Sequence, residues 1–166
     1  MLWVALLCEA PSASRPECDA GALQGLSNWA LQFPPRVACL SRSAPDTGLA
    51  AVLLEIAASA RLFGGRRALL QRLAREHALV GAAAWATAPT SLGAVALARA
   101  GVVNGLRRPL AELLDPLPLH VLDALTPQAP TLARLGCQRL GQVRALPRAG
   151  LSRRFGEPLL TALDQA

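Results

Sequence analysis

Residues 49 to 56, Leu-Ala-Ala-Val-Leu-Leu-Glu-Ile, form an apolar run broken by one acid, with Phe63-Gly64-Gly65 soon after it. A run this short and apolar, bounded by turn residues, reads as a core strand. The paired glycines beyond it suit a tight turn, because glycine accepts positive φ without steric cost. A core strand needs partners, and the chain supplies three: Leu2 to Leu7, Arg36 to Leu40 and Leu79 to Ala86. A turn through Ser43-Ala44-Pro45-Asp46-Thr47-Gly48 separates the run at 36–40 from the core strand. Two helices fit between the strands. Leu23, Leu26, Trp29, Ala30 and Phe33 recur at helical spacing over residues 22–33, after a Pro-, Ser- and Gly-containing loop at 10–21, and Pro34-Pro35 ends them. Leu69, Leu70, Leu73 and His77 mark one face of the second helix. A further helix is expected over Ser91 to Ala100. The order strand, helix, strand, strand, helix, strand predicts an α+β fold, a ferredoxin-like βαββαβ unit with a four-stranded antiparallel sheet and two helices on one face. That topology serves many activities and names none.

Past Gly101 the strand signals stop. Short helical pieces follow, punctuated by Pro and Gly: 109–114, 117–125, 131–135, 140–146 and 151–155. The change of texture predicts a sheet domain over 1–105 and a small all-helical domain over 106–166. No internal repeat accompanies it.

Charge and composition narrow the function classes. The chain of 166 residues is 52% hydrophobic, which excludes a disordered chain, and its net charge of +6 comes from 17 arginines against 11 acids. An anionic partner, nucleic acid first, follows from that surplus, although a GC-rich genome would also enrich arginine. Cys8, Cys18, Cys39 and Cys137 show no C-x-x-C spacing and stand far from His77 and His120, which excludes an ordinary zinc site. The N-terminus MLWVALLCEA lacks a basic segment before its apolar run, so it reads as a first strand in a cytoplasmic protein with reduced thiols. Residues 78–98 carry no charge, a length that could cross a bilayer. The stretch is Ala- and Gly-rich and split by Thr87-Ala88-Pro89-Thr90-Ser91, so a strand, a turn and a capped helix are expected, with no membrane partner.

Three blocks in order, LLEIAASARLFGG (53–65), APTSLGAVALARA (88–100) and LARLGCQRLGQVRALPRAGLSRRFG (132–156), resemble the palm and thumb of the Y-family DNA polymerases. The resemblance is nearest to the ImuB-type members, which lack catalysis and serve bacterial damage-induced mutagenesis. It implies a palm over 1–105 and a helix-hairpin-helix-like thumb over 106–166. An active member would present adjacent Asp and Glu on the core strand for two Mg²⁺ ions, which need hard oxygen ligands. Here Ala50 and Ala51 stand there, Ala5 stands about where the first strand would add its carboxylate, and Thr90-Ser91 replaces an Asn-Lys pair that reaches the nucleotide. Glu55 lies outside the metal pair and is expected to be structural. The resemblance therefore implies no catalytic residue, no metal, no cofactor and no enzyme.

What the resemblance leaves is the thumb. Leu135-Gly136 and Leu140-Gly141 bracket a connection resembling a helix-hairpin-helix turn, where backbone N–H groups and nearby cations take a DNA phosphate. Arg139, Arg148, Arg153 and Arg154 are the expected contacts to the backbone of damaged or primer-template DNA. The family's Gly-x-Gly turn is replaced by Leu125-Thr126-Pro127-Gln128. Error-prone replicative-type polymerase, a RecA-like mutasome subunit and the sliding clamp are the protein partners that the resemblance implies, through regions beyond the thumb. Only residues 9–21 stand where a fingers subdomain would be inserted, and no little finger follows residue 166, so a short paralogue, a truncated frame and a fragment stay open. A DNA-binding scaffold in translesion synthesis is the reading carried forward. Its rivals are a protein-interaction module without DNA contact and a nonfunctional remnant. Structural readings also stand beside individual residues: Arg66-Arg67 as a helix start, Arg153-Arg154 as a solvated face, His77 and the three tryptophans as packing, and Cys137 as an inert thiol.

Overall fold

The computed structural model describes residues 1–9, 16–33, 36–40 and 49–166. Strands β1 (Trp3–Glu9), β2 (Val37–Leu40), β3 (Leu49–Glu55) and β4 (Ala82–Ala88) form one sheet in the order β2-β3-β1-β4, antiparallel throughout. This is the expected ferredoxin-like arrangement. The central strands are apolar on both faces because both faces are covered.

Alternation of side chains divides β1 and β3 between two layers. On one side Val4, Leu6, Cys8, Val52 and Leu54 pack with Leu26, Ala30 and Phe33, and with Leu69 and Leu73 of α2 (Arg66–Glu76). Leu26 and Ala30 belong to α1 (Pro16–Ala30), and Phe33 lies just beyond its end. On the other side Ala5, Leu7, Ala51, Leu53, Ala86 and Ala88 meet α3 (Ser91–Arg99). Each leucine fully buried in these layers contributes roughly 1.5–3 kcal/mol. Gly64 and Gly65 have φ of 78° and 100°, the left-handed turn anticipated after β3, and that turn delivers the chain into α2.

Residues 110–165 add five helices, α4 (Leu110–Leu114), α5 (Ala129–Arg134), α6 (Leu140–Arg144), α7 (Arg148–Phe155) and α8 (Glu157–Gln165). Their buried residues, among them Leu114, Leu132, Leu140, Leu151 and Leu159, continue the same apolar layer that covers α3. Arg99 fastens the two parts: its guanidinium makes a bidentate pair with Asp123, at 2.8 and 3.0 Å, and donates to the Val121 carbonyl.

Several boundaries differ from expectation. Helix α1 begins at Pro16 inside the span read as a loop, since proline is well placed in a first helical turn. His77–Val80 is a 3₁₀ turn, closed by Gly81, and β4 starts three residues later than Leu79. The piece expected over 117–125 is two 3₁₀ segments, Leu119–Val121 and Asp123–Gln128. Helix α8 was absent from the sequence reading; Leu159, Leu160 and Ala162 bury its inner face. Within the uncharged stretch 78–98 the expected strand, turn and capped helix follow an unexpected 3₁₀ turn, and no described helix is long and apolar enough to cross a membrane. Pro34-Pro35, the turn at 43–48 and residues 10–15 of the expected loop lie outside the described residues.

Candidate nucleic-acid interface

The strand where a polymerase would hold its metals is closed by packing. Ala50 and Ala51 are both buried, and the register sets Ala51 between Leu7 of β1 and Leu40 of β2. The position beside Ala51 on β1 is therefore Leu7, whereas Ala5, expected to mark it, faces Leu53. Leu7 and Ala51 are fully buried in the layer beneath α3, so the space is filled by hydrocarbon. Among the described residues, no three His, Cys, Asp or Glu side chains come close enough together to hold a metal ion. Glu55 has a structural role: its Oε1 accepts from the amides of Ala57 and Leu2 at the end of β3. Asp46 lies outside the described residues.

Thr90, expected from the resemblance to stand where a nucleotide-reaching residue would be, caps α3. Its Oγ1 accepts from the Gly93 amide at 3.1 Å and donates to the Ala166 carbonyl at 2.8 Å. Thr90 is extended (φ −121°, ψ 154°), which is the backbone an N-cap requires. Ser91 is the first residue of the helix.

The connection between α5 and α6 keeps its backbone donors for itself. Gly136 and Cys137 donate to Ala133 and Leu132, and Leu140 and Gly141 donate to the carbonyls of Leu117 and Asp115. Gln142 Oε1 accepts from the amides of Gln138 and Arg139 at 2.7 and 3.0 Å. Every amide from 136 to 141 is thus satisfied internally. A phosphate docking here would meet side chains, and the expectation of a backbone clamp is corrected accordingly. The segment in place of the Gly-x-Gly turn runs on as 3₁₀ helix into α5, with Thr126 Oγ1 buried and without a partner.

The four arginines singled out by sequence fall into two groups. Arg139 is exposed at the entry to α6, and Arg153 and Arg154 are exposed in the last turn of α7. None of these three pairs with a carboxylate among the described residues. Arg153 Nε donates to its own helix at Ala149, and Arg154 lies 5.9 Å from the centre of the Phe155 ring. Arg154, Phe155 and Leu135 line one shallow groove, so the end of α7 and the α5–α6 connection share a surface. Arg134, also exposed and unpaired among the described residues, adjoins Leu135 on that connection; charge alone would have flagged it. Arg148 lies elsewhere. It makes a bidentate pair with Asp164, at 2.8 and 2.5 Å, and lines a cavity of about 410 Å³ with Thr90, Arg144 and Asp164. The Arg148 guanidinium holds the Asp164 carboxyl below the usual carboxylate range. Arg144 is likewise paired, with Asp115 at 3.0 Å.

The structural readings of other residues hold. Trp3, Trp29 and Trp85 are half-buried against the two core layers. His77 Nδ1 is 2.9 Å from the Ala74 carbonyl, and its ring lies 5.8 Å from that of Trp85. Cys137 is buried, an inert environment for a thiol.

Two curated proteins resemble this chain, both named protein ImuB and both from Caulobacter vibrioides, strains NA1000 / CB15N and ATCC 19089 / CIP 103742 / CB 15. Each is 38% identical over 157 residues, which takes in 91% of this chain. The chain spans 32% of the length of those relatives. No protein-family model and no solved structure matches it. Identity at that level over 91% of the chain makes this an ImuB-like, Y-family-related chain.

Proposed function

We propose that the chain is a non-catalytic, Y-family-like palm and thumb that acts in DNA-damage-induced mutagenesis by contacting DNA phosphates through its thumb arginines. The observation that carries the reading is the filled strand in an ImuB-like chain: Ala51, where the resemblance expects a metal carboxylate, is flanked by Leu7 and Leu40, while Arg134, Arg139, Arg153 and Arg154 project as unpaired cations among the described residues. Binding of this kind carries no base specificity, because arginine contacts to phosphate fix position and not sequence. An error-prone polymerase, a RecA-like subunit and the sliding clamp remain the proposed protein partners. Their contacts fall on no residue described above.

Fluorescence-anisotropy titration of the chain with a labelled primer-template duplex at two salt concentrations tests the proposal. Affinity is expected to fall steeply with salt through counterion release. Arg153→Ala/Arg154→Ala should lower the magnitude of the salt slope by about two, if both residues touch phosphate. Arg148→Ala should change it less, because Asp164 already neutralises that guanidinium. Absence of binding at low salt would sink the DNA reading. It would favour the second one, a protein-interaction module, which the internally satisfied amides of 136–141 and the paired Arg144 and Arg148 also support.

A further inference from the structure

A groove of about 560 Å³ runs along the other face of the sheet, between α2 and the segment 103–107. Its rim is cationic. Arg66 and Arg67 project from the first turn of α2, and Arg107 faces them; all three are exposed and none pairs with a carboxylate among the described residues. Its floor is apolar, made by Leu70, Trp85 and Leu106. No acid lines it. Two arginines in the first turn of a helix sit at the positive end of its dipole, an arrangement that a bound anion would relieve. The far wall is held firmly: Thr87 donates its amide to the Val103 carbonyl and accepts from the Gly105 amide, so residues 103–105 extend the sheet beyond β4.

From this geometry we propose that the groove binds an acidic peptide segment of a partner protein, with an apolar side chain on the Leu70–Trp85–Leu106 floor and flanking carboxylates on Arg66, Arg67 and Arg107. A nucleic-acid backbone would satisfy the rim and leave the apolar floor of Leu70, Trp85 and Leu106 unfilled. The groove lies on the α2 side of the sheet, whereas the thumb helices pack on the α3 side. The inference is therefore independent of whether the thumb binds DNA.

The test uses a fluorescein-labelled peptide with a central Leu-Phe pair flanked by glutamates, and its counterpart with glutamines. The acidic peptide should bind saturably to the whole chain. Arg66→Ala/Arg67→Ala/Arg107→Ala, checked for folding by circular dichroism, should weaken binding by about tenfold or more, since three charge pairs are removed together. Arg153→Ala/Arg154→Ala should leave it unchanged. A second readout needs no groove substitution: in Trp3→Phe/Trp29→Phe the sole tryptophan is Trp85, and its emission should shift as unlabelled peptide is added. Equal affinity for the glutamine peptide, no effect of the triple substitution, or an unmoved Trp85 emission would overturn the proposal. So would a triple variant that loses affinity for single-stranded oligothymidylate and keeps it for the peptide, because the groove would then be a nucleic-acid site.

Discussion

A carboxylate at position 51 would be wedged between Leu7 and Leu40 in a layer sealed by α3, with no hydrogen-bond donor provided for it. Burying an unpaired charge is costly, so Ala51→Asp is expected to destabilise the fold by roughly 3–5 kcal/mol, read as a lower urea midpoint, and not to confer Mg²⁺-dependent primer extension. Packing at this strand therefore opposes a carboxylate at position 51 independently of which ligands the sequence offers. Arg148 and Asp164 illustrate a different residue-scale effect. The Asp164 carboxyl is held below its ordinary value of 3.8, so the folded state binds that proton less tightly than the unfolded chain. The stability it contributes is complete above that value and fades as pH falls through the lowered one. Wild type and Asp164→Asn should therefore converge in urea stability at acid pH and differ at neutral pH, with the small difference shrinking in high salt. Neither partner's engagement was legible in the sequence, where both residues lie outside the expected helical pieces and 16 positions apart. The substitution of Ala50 and Ala51 was legible. The β1 residue beside them was not, because alternation assigns a face while cross-strand register assigns a neighbour.

Elements were most legible where their boundary signals are chemical. Thr90 before an apolar helical run announces α3, and the cap is there; Thr90→Ala should cost about 1 kcal/mol in thermal or urea unfolding, with Thr90→Ser retaining most of it. Gly105 is a close-approach position that no local pattern marks. A methyl group there would press on the Thr87 carbonyl and on Leu97, so Gly105→Ala should destabilise by roughly 1–3 kcal/mol and loosen residues 103–105 from β4. Loss of amide hydrogen-exchange protection at Gly105, whose amide bonds Thr87, would check it. The 3₁₀ segments and the early start of α1 escaped the sequence reading because their periodicity is short or their first turn is polar, and tertiary contacts select among the conformations that remain.

At the scale of the molecule, the division expected at residue 105 rests on composition, and the buried layer does not stop there. Leu97 and Val95 of α3 lie in one apolar cluster with Leu125, Leu132 and Leu160, and Arg99 ties α3 to Asp123. The two parts are expected to unfold together. Tryptophan fluorescence, which reports only on residues 3, 29 and 85 in the sheet part, should share its urea midpoint with far-ultraviolet circular dichroism; separated midpoints would show independent units. Residues 1–105 expressed alone should expose that layer and aggregate. Apolar runs, helical spacing and punctuation by glycine and proline were enough to determine the βαββαβ order, the change to helices after Gly101 and the absence of carboxylates from positions 50 and 51, because each is written in residues near one another along the chain. Which leucine packs beside Ala51, which arginines stay free among the described residues and where an apolar groove opens beneath a cationic rim were decided by the tertiary structure alone. Those properties depend on pairing between distant residues, and burial and partner choice arise only when the layers close on one another.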